Sequence, residues 1–117
     1  MTVIDSHDVI DRCVAAYNAQ NLEDFCRFVS EDVKLMDLDS GAVLLEGVKA
    51  YRELYGQMFA KNPNNRVEIM KRVVFGNHVC DEEFITGRSG GDIRALVIYT
   101  LDEGSSISRI QVSKIEK

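Results

Sequence analysis

The chain has 117 residues, 45% hydrophobic and 28% charged, with a single proline; that is enough for one soluble domain with one core and excludes two independent domains. Nineteen acidic against fourteen basic residues give a net charge of −5. With the basic residues scattered, no general electrostatic affinity for nucleic acid or an anionic membrane is expected.

Asp5, Asp8, Asp11 and Arg12 interrupt the apolar residues near the N-terminus, so neither a secretory signal nor a membrane span is expected, and the expected location is the cytoplasm. Cys13, Cys26 and Cys80 are an odd number at wide spacing with no CxxC pair. They read as reduced, buried thiols, and neither a disulfide framework nor a zinc site is implied.

Asp5 is placed to cap a first helix, with Asp8 three residues on; Val9, Ile10, Cys13, Val14 and Tyr17 then form one apolar stripe at helical spacing. Asn18 to Asn21 breaks that pattern. Asn21 caps a short second helix whose buried side is Leu22, Phe25, Cys26, Phe28 and Val29, and which is expected to end around Ser30. Val33 to Asp39 reads as a strand, and the Asp-Ser-Gly triplet at 39 to 41 before Ala42-Val-Leu-Leu reads as a hairpin. Gly47 starts a third helix, where Val48, Tyr51, Leu54, Tyr55, Met58 and Phe59 form a single stripe that stops at Asn62-Pro63.

Four strands follow: Arg66 to Phe75, His78 to Thr86, Ile93 to Leu101 and Ile107 to Ile115, joined by turns at Gly76-Asn77, Gly87 to Gly91 and Asp102 to Gly104. The order predicts an α+β fold: three helices packed on one face of a curved, mostly antiparallel six-stranded sheet, forming a cone with an internal pocket. Residues 1–117 are read as one domain. Strand Ile93 to Leu101 is apolar on both parities, which predicts two buried faces and a homodimer packed through the sheet.

No phosphate-binding glycine loop, HExxH or GxSxG motif is present, so no cofactor and no metal is expected. The candidates are isolated polar residues on core-facing elements. Asp37 shares strand parity with Val33 and Leu35; facing a cavity it would suit a general base, and at the strand end it would instead shape the hairpin. Arg94 shares parity with Leu96 and Ile98; facing inward it would pair with Asp37, and at the rim it would be solvated. Cys13, Tyr17, Tyr51, Tyr55 and Phe59 lie on helix stripes, where an aromatic usually belongs to the core and a buried hydroxyl needs a partner. His78, Asp81, Glu82 and Glu83 crowd one strand and read as an exposed edge.

The runs Val14-Ala-Ala-Tyr-Asn-Ala-Gln-Asn-Leu-Glu-Asp-Phe, Val29-Ser-Glu-Asp-Val and Leu44-Leu-Glu-Gly, with Gly76-Asn-His-Val, Ile85-Thr-Gly-Arg-Ser-Gly-Gly and Ile98-Tyr-Thr-Leu-Asp-Glu-Gly, resemble the nuclear transport factor 2-like superfamily. Its members include SnoaL-like and ketosteroid isomerase-like proteins. The resemblance implies a conical α+β barrel, a deep pocket and a homodimer. Laid on the isomerase pattern, Asp37 falls at the catalytic base and Tyr55 at the position supporting the oxyanion tyrosine. Cys13, a poor donor, replaces that tyrosine, and Arg94 replaces the neutral aspartic acid. Tyr17, one turn beyond Cys13, would line the same pocket, with Arg94, Cys13 and Phe59 as further ligand contacts. The function so implied is a pocket protein acting on a small apolar carbonyl compound by proton transfer with Asp37 as base, or else a non-catalytic binding or dimerisation module.

Overall fold

The computed structural model describes residues 5–103 and 105–116, so Gly104, in the expected Asp102 to Gly104 turn, lies outside the described residues. Helix α1 covers Ser6–Asn18, and the Asp5 side chain accepts a hydrogen bond from the Asp8 backbone N–H at its start. Helix α2 covers Leu22–Arg27 under the same kind of cap, from Asn21 to the Asp24 N–H. It ends earlier than expected. Strand β1, Val29–Asp37, already begins at Val29, because the Phe28 carbonyl accepts from the Ile107 N–H and pulls the chain into the sheet.

Strand β2 is Val43–Glu46 and helix α3 is Val48–Lys61, entered through Gly47 at a φ of +96° that favours glycine. Strands β3 (Arg66–Phe75), β4 (His78–Thr86), β5 (Ile93–Leu101) and β6 (Ile107–Glu116) follow. The sheet order is β2-β1-β6-β5-β4-β3, with β1 parallel to β6 and every other pair antiparallel. The helices pack on its concave face, and Ile10, Phe25, Val33, Tyr51, Val79, Leu101 and Ile107 are among the residues buried between the layers. Among the described residues, no helix is long and apolar enough to cross a membrane.

Two details of register decide what faces the core. Strand β3 carries one extra residue at Met70, since Ile69 pairs with Glu83 but Lys71 with Glu82. Val67 and Ile69 face inward before this bulge and Arg72 faces inward after it, so the bulge re-aims an arginine that simple alternation would leave outside. The second detail corrects the reading of β4 as an exposed edge. This strand lies between β3 and β5, and Val79, Asp81, Glu83 and Ile85 are all buried. Burial of two acids is tolerated because each has a partner: Arg72 forks onto both oxygens of Asp81 at 2.6 and 2.8 Å, and Tyr99 donates to Glu83.

On β5 the Ala95, Val97, Tyr99 and Leu101 face is buried, whereas Arg94 and Leu96 on the other face are exposed. Burial on both faces is therefore not present within the single chain.

Candidate functional site

Helices α1 to α3 and the concave face of the sheet enclose a cavity of about 170 Å³. Its walls are mainly apolar: Phe25, Tyr51 and Tyr55 on the helical side, Val67, Ile85 and Val97 on the sheet side. Phe25, Tyr51 and Tyr55 form a ring cluster with centroids 4.7 to 5.3 Å apart, so that wall is rigid aromatic surface. Leu44, Leu54 and Lys114 line the cavity and are exposed, which places its mouth beside β2, α3 and the end of β6.

Three polar groups converge on this apolar space. Glu83 comes from β4, paired directly with Ala95 on β5, which in turn pairs with Lys114 on β6. Glu83, Ala95 and Lys114 therefore stand on one cross-strand row. Paired residues on adjacent strands point to the same face, so the small Ala95 side chain leaves room between the acid and the cation. Glu83 is 4% exposed. Burial is the main cause that pushes its carboxyl up to about 7; the Tyr99 hydrogen bond and the charges of Arg72 and Arg88 work against the rise, and Asp81 adds to it.

The second group is the Tyr17 hydroxyl on α1. It accepts hydrogen bonds from the Arg88 guanidinium at 2.9 Å and from the Asn65 amide at 2.7 Å. Its own hydrogen faces only the Met58 sulfur at 3.6 Å, a weak acceptor. Two donors pull electron density from the hydroxyl oxygen, which makes the phenol a stronger donor toward an oxygen in the cavity.

Arg88 is the third group. It is delivered by the β4–β5 loop, which closes against the chain after α3. Gly87 has a φ of +78°, and a Cβ there would lie 2.0 Å from the Asn64 carbonyl oxygen. Only glycine permits this approach. The Ser89 N–H adds a bond to the Asn62 side chain at 3.0 Å. The same contact region thus positions both donors to Tyr17.

Of the residues expected at a site, Tyr17, Tyr55 and Cys13 line the cavity. Burial pushes the Tyr55 hydroxyl and the Cys13 thiol up, so both are neutral. Phe59 is buried behind them, its ring edge-on to Tyr17 at 5.3 Å, and does not line the cavity. Asp37 is a correction. It keeps the inward register, paired with Val112, but β1 ends there and its carboxylate caps the turn by accepting from the Ser40 N–H at 2.9 Å. That bond holds its carboxyl below the usual range, and Asp37 is not among the cavity residues.

Arg94 is a second correction: it lies on the outer face and pairs with Glu82 at 2.9 Å rather than with Asp37. Glu83, Tyr99, Arg88, Asn65 and Lys114 went unrecognised as site residues. One signal for Glu83 was present, since Val79, Asp81, Glu83 and Ile85 share one parity whose ends are apolar. Among the described residues, no group of three or more His, Cys, Asp or Glu is arranged to hold a metal ion.

The SnoaL-like domain family matches residues 10–110. The fold is similar to a cystatin-fold protein from Novosphingobium aromaticivorans, at 24% identity and a TM-score of 0.82, over 92% of this chain and 97% of that one. It is likewise similar to a nuclear transport factor 2-like protein of unknown function from Cytophaga hutchinsonii, at 22% identity, a TM-score of 0.80, and 97% and 93% coverage. A SnoaL-like polyketide cyclase from Agrobacterium tumefaciens shares the fold at 16% identity and a TM-score of 0.76, with 98% and 93% covered. At these identities the structural likeness speaks for the fold alone. No curated protein shows a significant sequence match. With a family match over almost the whole chain and this architecture, the chain belongs to the SnoaL-like domain family of the nuclear transport factor 2-like superfamily.

Proposed function

We propose that the protein is a proton-transfer enzyme of isomerase or cyclase type acting on a small, largely apolar carbonyl compound, with Glu83 in the role first expected of Asp37. The observation that carries this is a carboxyl group buried in the wall of an otherwise apolar cavity and pushed up to about 7. Near neutral pH such a group exists in both forms and can take a proton and return it. In its ionised form Glu83 removes the proton from the carbon beside the carbonyl. The C–H electron pair passes into the carbon framework, and the negative charge develops on the carbonyl oxygen. The Tyr17 hydroxyl, polarised by Arg88 and Asn65, donates to that oxygen. Protonated Glu83 then delivers the proton to carbon, at the same or a conjugated position, and is restored.

Cavity size narrows the substrate. A volume of about 170 Å³ is close to an engineered apolar cavity of roughly 150 Å³ that takes up benzene. One ring or a short branched chain fits inside, and anything longer extends through the mouth at Leu44 and Leu54.

The test is hydrogen–deuterium exchange at the α-carbon of cyclohexanone in D₂O, followed by NMR. The protein should accelerate exchange over buffer, and Glu83→Gln should remove the acceleration, a loss of about 10²–10⁴-fold. Full exchange activity in a folded Glu83→Gln variant, or none in the native protein, rejects the reading.

For the assembly, we propose that the outer sheet face meets a second copy of the chain. Leu96 and Ile115 are 40% and 61% exposed there, and covering them would remove apolar surface from water. Sedimentation should show a dimer that Leu96→Lys converts to a monomer; a native monomer refutes the assembly.

A further inference from the structure

This inference rests on the proton-transfer reading and names the substrate class. The cavity holds an imbalance of charge. Among the described residues that line it, Glu83 is the only acid, while Arg88 and Lys114 are cations. Five other arginines find acids: Arg12 pairs with Asp8, Arg27 with Asp24, Arg52 with Glu23, Arg72 with Asp81 and Arg94 with Glu82; the remaining described cations, Lys34, Lys49, Lys61, Arg66, Lys71 and Arg109, have no acid within ion-pair distance among the described residues but are exposed and lie outside the cavity. Among the described residues, neither Arg88 nor Lys114 has a carboxylate within ion-pair distance. Arg88 donates instead to the Tyr17 hydroxyl, and its Nε is buried with no hydrogen-bond partner among those residues. A buried guanidinium N–H without an acceptor is costly, so its presence on a cavity wall calls for a ligand that supplies one.

Lys114 stands on the same inward face of β6 as Ile110 and Val112, nearest the mouth. Partial burial and the neighbouring Arg88 charge both push its ammonium down. The two cations are therefore within electrostatic reach of one another and repel. An anionic group lying between them would remove both the repulsion and the unmet hydrogen bond.

We infer that the substrate is a small carbonyl compound that also carries a carboxylate, seated with its carboxylate between Arg88 and Lys114 and its apolar body against the Phe25, Tyr51 and Tyr55 rings. Distance supports this arrangement. Lys114 and Glu83 are separated by one intervening strand, about 10 Å at the usual strand spacing. That span accommodates a carboxylate at Lys114 and a reacting carbon at Glu83 in one molecule the size of a substituted ring.

Benzoate and benzamide separate charge from shape, and neither has an α-hydrogen, so binding is read without turnover. By calorimetry at low ionic strength, benzoate should bind at least tenfold more tightly than benzamide. Lys114→Met should erase that preference while leaving benzamide binding intact, and Arg88→Met should lower benzoate affinity at least tenfold. Glu83→Gln should keep the preference for benzoate. Equal affinity for the two probes, a preference that survives Lys114→Met, or no saturable binding of benzoate each overturn the inference. A benzoate preference in a protein that fails the cyclohexanone exchange test would reject the proton-transfer reading and leave the carboxylate site standing.

Discussion

The Tyr99 hydroxyl donates to Glu83 Oε2 at 2.9 Å, and both residues are buried. Because the bond favours the ionised carboxylate, it holds down a carboxyl that burial pushes up. Tyr99→Phe should therefore move Glu83 further up. The measurement is a carbon-13 NMR titration of the Glu83 carboxyl, and a midpoint unchanged or lowered in Tyr99→Phe would contradict this role.

The same group should leave a mark on folding. Its carboxyl rises from 4.5 to about 7 on folding, so the native state favours the protonated form. The associated stability is fully present below about pH 4.5 and is lost as pH rises through 7. The shift corresponds to roughly 3 kcal/mol. Urea unfolding from acid to mildly alkaline pH should show native stability declining relative to Glu83→Gln over this interval. Parallel curves for the two proteins would rule the coupling out.

Arg72 is expected to be a structural keystone rather than a site residue. Its side chain is 9% exposed and grips Asp81, which is 0% exposed, while a second contact reaches Asp11 on α1. Arg72→Met strands the Asp81 charge, and removing one partner of a buried pair costs about 3–5 kcal/mol. Denaturant midpoints should report a loss of that size; a change below about 1 kcal/mol would fit only a solvated, surface-like pair.

Gly87 and Gly90 offer a paired test of the loop. Both have positive φ, but a Cβ at Gly87 would strike the Asn64 backbone at 2.0 Å, whereas nothing lies within 4 Å at Gly90. Gly87→Ala should lower stability by more than about 1 kcal/mol and displace Arg88, weakening benzoate binding. Gly90→Ala should cost less and leave binding unchanged. Equal effects would show that the close approach is unimportant.

Asp37→Asn should leave α-carbon exchange at the native rate, because the carboxylate caps the turn and lies outside the cavity lining. Loss of exchange in that variant, with the fold intact by circular dichroism, would return the base role to Asp37.

Local features were legible in the amino-acid order because their causes are local. Asp5 and Asn21 cap helices through bonds to residues three positions on. The helix stripes and the alternation and turn residues of the last four strands are set by short-range periodicity, and the strand starts at Arg66, His78, Ile93 and Ile107 are those observed. The helix end at Arg27 was not legible, since the force that ends it comes from Ile107, far along the chain.

The candidate site depended on pairings that alternation along one strand does not contain. Asp37 and Glu83 each occupy an inward register position, yet one lies at a strand end with a free backbone N–H to cap and the other in mid-strand beneath the helices. Arg72 reaches Asp81 only because Met70 bulges. Lys114 joins Glu83 only through the β4-β5-β6 row across Ala95. The sequence by itself determined the order of the elements and the fold class, because capping and hydrophobic periodicity act over a few residues. Only the tertiary structure decided which acid is desolvated and which cations face it, because burial and charge proximity are set by register between strands distant in the chain.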